Sequence, residues 1–151
     1  MAVTANKTTI KWHGPKVTRR IEHVLSRRLD QAAELVRSQI VRNLRSNQSW
    51  TKRPKDKKER WAAVWDYYAG KPSPYHPSKP GKIPHADTGD LSKRMFWDRK
   101  GKLTRRIGTP LKYGLWLQVG NRKIKPRPYL DVTLKQNFSK IRLIINQPIQ
   151  K

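Results

Sequence analysis

The stretch "PHADTGDL" (Pro84–Leu91) divides this chain into two differently patterned halves. Its core, Asp87-Thr88-Gly89, spells the triplet of aspartic proteases. A protease dyad needs two carboxylates close enough to share one proton. The triplet occurs once here, so a dyad would require a homodimer. In such enzymes an apolar strand precedes the triplet and buries the site, whereas here Pro84-His85-Ala86 precedes it and a second acid, Asp90, follows. A structural turn is the simpler reading. Asp87 is expected to accept N–H bonds from the next residues, and Gly89 to permit the bend.

The chain downstream of that turn reads as ordered structure. "LSKRMFWDRKGKLTRRIGTP" (91–110) predicts a hairpin with Gly101 at its turn, although the alternation is imperfect. "YGLWLQVG" (113–120) is short and apolar, with Gly120 as a natural stop, and "NRKIKPRP" (121–128) is a basic loop. Pro128 suits the first turn of a last helix with the stripe Leu130, Leu134, Phe138, Ile141 and Ile145, although its end, "LIIN" (143–146), reads equally as a strand.

Upstream, "KPSPYHPSKPGKIP" (71–84) carries five prolines and predicts a stiff extended loop. Before it, Asp56 and Glu59 form a variant capping box ahead of Trp61, Val64, Trp65 and Tyr68, and Gly70 can end that short helix. Residues 47–55 are a polar, basic break. From Lys16 to about Ser46 the pattern is helical, with Val17, Ile21, Val24, Leu25, Leu29, Ala32, Ala33, Val36 and Ile40 on one stripe. Arg28 falls on this stripe, which calls for a bend or a snorkelling guanidinium. Residues 1–15 read as a flexible arm closed by Gly14-Pro15. The expectation is a single α+β domain over 1–151. A long amphipathic N-terminal helix packs on a short antiparallel sheet, a C-terminal helix follows, and 47–84 is a basic, Trp- and Pro-rich elaboration.

Composition limits the function. Thirty-five Lys and Arg against ten Asp and Glu give a net charge of +25, for which nucleic acid is the usual partner and an anionic protein surface or simple solubility the alternatives. The absence of cysteine excludes disulfides and thiolate metal sites. No apolar run approaches the ~20 residues of a membrane span, and the N-terminus lacks the apolar core of a secretory signal. His13, His23, His76 and His85 have no metal-ligand spacing on a helix, and ten acids scattered among 35 bases do not suit a two-metal nuclease. Phosphate-loop, nucleophile-elbow and kinase patterns do not occur. The expectation is a non-enzyme with no catalytic, cofactor or metal residues.

Three segments, "PGKIPHADTGDLSKRM" (80–95), "RRIGTPLKYGLWLQVGNRK" (105–123) and "KPRPYLDVTLKQ" (125–136), occur in an order that resembles the tail-completion, or head–tail joining neck, proteins of tailed bacteriophages. The matching positions are Asp87, Thr88, Gly89 and Leu91, then Gly108, Tyr113, Val119 and Gly120, then Arg127, Pro128, Tyr129 and Leu130. The family pattern has an acid before its final glycine, where this chain has Gln118-Val119. The resemblance implies a virion protein assembled in the host cytoplasm. It further implies a ring of identical copies, a hexamer or dodecamer, between portal-side and tail-tube proteins around the channel that double-stranded DNA traverses. A ring needs two different patches per subunit. Trp61, Trp65 and Tyr68 are candidate interface residues, and Arg99, Lys100, Lys102, Arg122, Lys123 and Lys125 are candidates for charged contacts with protein or DNA. The alternative is a free, ribosome-like basic nucleic-acid-binding protein.

Overall fold

The computed structural model describes residues 14–46, 48–122 and 124–149. Helix α1 (Gly14–Ser46) runs 33 residues, roughly 50 Å at helical rise. Gly14 and Pro15 thus belong to the helix and not to an arm; residues 1–13 lie outside the described residues. Then come α2 (Lys57–Tyr68), a single turn α3 (Asp90–Lys93), β1 (Phe96–Gly101), β2 (Thr104–Gly108), α4 (Lys112–Val119) and α5 (Leu130–Ile145). The fold is α+β, with the long first helix packed on both the two-stranded antiparallel sheet and the C-terminal helix.

The apolar stripe of α1 is buried over its C-terminal half, at Ala32, Ala33, Val36, Ile40 and Leu44. Val17 and Ile21 remain exposed. Val36, Ile40 and Leu44 form the core with Leu91, Met95 and Tyr129. Arg28 sits on the stripe for a reason other than a bend. Its guanidinium donates to the carbonyls of Ile145 (2.9 Å) and Pro148 (3.0 Å), closing the C-terminus of α5 against α1. A cation there also meets the negative end of the helix dipole.

The hairpin is fixed by a polar ridge of α1 that repeats every four residues: Glu22, Ser26, Asp30 and Glu34. Arg105, whose side chain is 5% exposed, reaches Ser26 and Asp30; Arg99 shares Asp30; Lys102 pairs with Glu22 at 3.3 Å; Trp97 Nε1 donates to Glu34 at 2.9 Å. Gly101 ends β1 opposite Thr104, so Lys102 and Leu103 make the turn, and a bulge falls between Arg99 and Gly101.

Two expectations at α5 require correction. Pro128 lies before the helix, which begins at Leu130 with Tyr129 as its N-cap. The buried line of α5 is Thr133 and Asn137, while Leu134 and Phe138 are exposed. The cause is a polar contact in the helix interface. Asn43 of α1 donates to Thr133 Oγ1 (3.0 Å), and Asn137 satisfies itself on the Thr133 carbonyl (2.8 Å). "LIIN" completes the helix, with Asn146 as its C-cap.

The segment 48–84 is tied to the rest of the chain near both ends, the second tie being the Gly81 amide on the Pro126 carbonyl (2.9 Å). Ser49 N–H donates to the Ala86 carbonyl (2.8 Å), and Trp50 bridges Tyr75. Asp56 caps α2 through the Lys58 and Glu59 amides, and Gly70 at φ 73° closes it, with the Lys71 amide on the Asp66 carbonyl.

Glu34 gives a pH-dependent test of the ridge. The hydrogen bond from Arg37 holds its carboxyl down from 4.5 to about 2 against the opposing effect of burial, with help from Ser38 and Trp97. A depressed folded-state pKa favours the native state fully above 4.5, and that contribution is lost as pH falls towards about 2. Glu34→Gln should therefore show a shallower loss of stability between these two pH values than the wild type, read by urea unfolding at each.

Candidate functional site

The Asp87-Thr88-Gly89 turn, helix α4 and the Arg127-Pro128-Tyr129 entry to α5 are separated in sequence and meet around one cavity of about 310 Å³. Its lining includes Asp87, Thr88, Gly89, Asp90 and Leu91 from the turn, Tyr113 and Leu117 from α4, Arg127, and Ser49, Tyr75 and Ser78 from the elaboration.

The turn is built differently from the sequence expectation. Asp87 caps no amide. Its carboxylate accepts the Trp50 indole N–H (2.7 Å) and faces Arg53 (3.3 Å), so it ties the elaboration to the turn. Thr88 makes the local turn bonds instead: its hydroxyl accepts the Asp90 amide (3.3 Å) and donates to the Asp90 carboxylate (2.6 Å). Gly89 makes the bend at φ 77°, and Leu91 drops into the core.

Tyr129 holds the second and third segments together. It is 1% exposed, and its hydroxyl donates to the Gly114 carbonyl at 3.4 Å. Burial pushes the phenol up to about 12. Gly114 leaves the room: a Cβ there would lie 2.5 Å from Thr109 Cγ2, 3.1 Å from the Tyr129 hydroxyl and 3.3 Å from Leu91 Cδ1. The Tyr129 and Leu130 amides, orphaned at the start of α5, both donate to Gln118 Oε1 at 3.1 Å. Gln118 thereby supplies the acceptor for both amides, a role that no local sequence rule assigns to it. Gly120 ends α4 at φ 81°, and a side chain there would press against the Ile124 carbonyl at 2.9 Å. Val119 is exposed, and Gly108 ends β2.

The charges around the cavity are unevenly matched. Asp87 and Asp90 have partners within the chain. Arg127 donates its backbone amide to the Leu117 carbonyl (2.6 Å), but its side-chain Nε is enclosed without an acceptor. Tyr75 is raised by burial first, then by Tyr68 and Asp87, with Arg127 opposing; Tyr113 is raised by burial and by Asp90. Both phenols therefore stay protonated at neutral pH and can donate.

The structure does not bring the other candidates to this cavity. Trp61 and Trp65 are 58% and 71% exposed on α2, and Tyr68 is exposed beside them. The opposite side of α2 is held through Tyr67 packed edge-on to Tyr75 and through Ser73 donating to the Ala63 carbonyl. Arg99, Lys100 and Lys102 each have an acid of this chain within ion-pair distance: Asp30, Asp98 and Glu22. Arg122 and Lys125 are exposed, and Lys123 lies outside the described residues.

A scan of family models, a search of curated proteins and a search of solved structures each give no match.

Gly114→Ala should cost roughly 1–3 kcal/mol, because the added methyl must displace the Thr109 and Tyr129 side chains from a packed site. Thermal unfolding measures the loss, and the Thr109→Ser background should recover part of it by removing the Cγ2 atom in closest contact.

Proposed function

We propose that this chain is a structural subunit of the head–tail connector of a tailed bacteriophage, acting in the virion as a ring of identical copies and without catalysis of its own. The observation that carries the reading is the meeting of the three ordered segments around Tyr129. Of the residues quoted for the resemblance, Leu91 and Tyr129 share the core with Leu130 packed against it, Asp87, Thr88, Gly89, Tyr113 and Arg127 line the adjoining cavity, and Val119 is exposed. Their shared role is architectural: Gly114 receives Tyr129, Leu91 joins the same core, and the chain between Gly120 and Arg127 folds back on α4.

Two surfaces suit the two sides of a heterologous ring contact. One is the outward face of α2, with Trp61, Trp65 and Tyr68; the other is the exposed edge of α4, with Leu115, Trp116 and Val119. Aromatic residues concentrate at such interfaces. The charge of +25 favours a second reading, a free nucleic-acid-binding protein. The pairing of Arg99, Lys102, Arg105 and Arg106 with acids of the same chain leaves fewer bases for phosphate contact.

Native mass measurement separates the readings. The ring reading expects a discrete multimer that persists as salt is raised, and a Trp61→Ala/Trp65→Ala double variant that folds normally but stays monomeric. A protein that remains monomeric alone and with tail tubes, and binds DNA with an affinity falling by ~0.9 log units per log unit of salt for each phosphate engaged, contradicts it.

A further inference from the structure

We propose that the cavity beside the Asp87 turn is a binding site for a carboxylate presented by an acidic side chain of a partner protein. The inference rests on the connector reading and names the chemistry by which the subunit engages a neighbour.

The first observation is Arg127. A guanidinium carries five N–H donors and no acceptor. The Nε of Arg127 is enclosed without a partner, and no side-chain hydrogen bond or ion pair joins Arg127 to another of the described residues. Its terminal nitrogens are not enclosed in this way, and the residue lines the cavity. A partly desolvated guanidinium without an acceptor is costly, and a carboxylate is the planar anion that matches its fork.

The second observation is the remainder of the wall. Tyr75 and Tyr113 line the cavity beside Arg127, so two neutral aromatic residues that can each donate a hydrogen bond stand next to the cation. Asp87 and Asp90 stand on the same lining with their charges engaged by Arg53, Trp50 and Thr88. Two carboxylates on the lining repel a phosphate dianion more than a singly charged carboxylate, which favours the latter as the ligand.

The third observation identifies the source. Of ten acids in the chain, Glu22, Asp30, Glu34, Asp56, Asp87, Asp90 and Asp98 are already bonded internally, leaving 10 − 7 = 3. A second copy at +25 brings few free acids and much like charge. A different, acidic protein surface supplies the carboxylate and offsets the charge together.

The test is an NMR titration of the isotope-labelled full chain, following the Arg127 side-chain Nε–H and the Thr88 and Gly89 amides. The probes are N-acetylglutamate N-methylamide, its glutamine isostere and inorganic phosphate. The expected result is a saturable shift with the glutamate probe, about tenfold weaker with the isostere, reflecting the loss of the charge-assisted fork. Arg127→Gln should abolish the response, and Arg127→Lys, which keeps the charge but not the fork, should weaken it. Both variants are first checked by thermal unfolding, and the lysine variant alone decides the matter if the glutamine variant does not fold. An equal response to the glutamine isostere, tighter binding of phosphate, or an unchanged response in the lysine variant overturns the proposal. A chain that forms rings but ignores the glutamate probe sinks this inference alone. A chain that binds the probe but never assembles sinks the connector reading alone.

Discussion

The burial of one phenol organises this molecule. Among the described residues Tyr129 heads the fully buried side chains by size, and its hydroxyl and its backbone amide are answered by two different parts of α4. The hydroxyl reaches the Gly114 carbonyl, and the amide reaches Gln118. Its ring shares a core with Val36, Ile40 and Leu44 of α1 and with Leu91 beyond the Asp87 turn. A single residue at the N-cap of α5 thus connects α1, α3, α4 and α5. The space for it exists because residue 114 has no side chain. Two residues earlier stands Arg127, so the packing that seats Tyr129 also sets the cation in the wall of the cavity.

A second constraint is electrostatic. A chain with 35 bases must hold a cationic hairpin against a cationic helix. It does so by placing acids where they neutralise the contact, along Glu22, Asp30 and Glu34 on one ridge of α1. Asp30 receives both Arg99 and Arg105, and each guanidinium draws the carboxyl below its ordinary range against the effect of burial. On the sheet itself Lys100 and Arg106 both face Asp98. Intramolecular pairing explains how the hairpin docks at all, and it concentrates unpaired positive charge away from the sheet.

Much of the fold was legible in the sequence because it rests on local rules. The C-terminal half of the α1 stripe, the Asp56 cap, Gly70 and the existence of the hairpin follow from periodicity, capping and turn chemistry, while Val17 and Ile21 stay exposed and the hairpin turn falls at Lys102 and Leu103 instead of Gly101. The α5 face was misread because hydrophobicity favours Leu134 and Phe138, while its rotation follows from Tyr129 and from the Asn43–Thr133 hydrogen bond, ninety residues apart. Asp87 was misread for a related reason. A local cap is the default for an aspartate in a turn, and the competing donor, the Trp50 indole, is thirty-seven residues away. The cavity could not be read at all, since its walls come from five separate segments. The ridge on α1 was in principle visible as Glu22, Ser26, Asp30 and Glu34, polar or acidic residues at four-residue steps within an otherwise basic helix.

The measurement that bears most directly on this account is the set of nuclear Overhauser contacts made by the Tyr129 ring protons in the free protein. The account predicts contacts from that ring to the methyl groups of Ile40 and Leu91 and to the Gly114 α-protons, which together fix α1, the Asp87 turn and α4 around one phenol. Tyr129 ring protons that show contacts to water and none to those groups would contradict it.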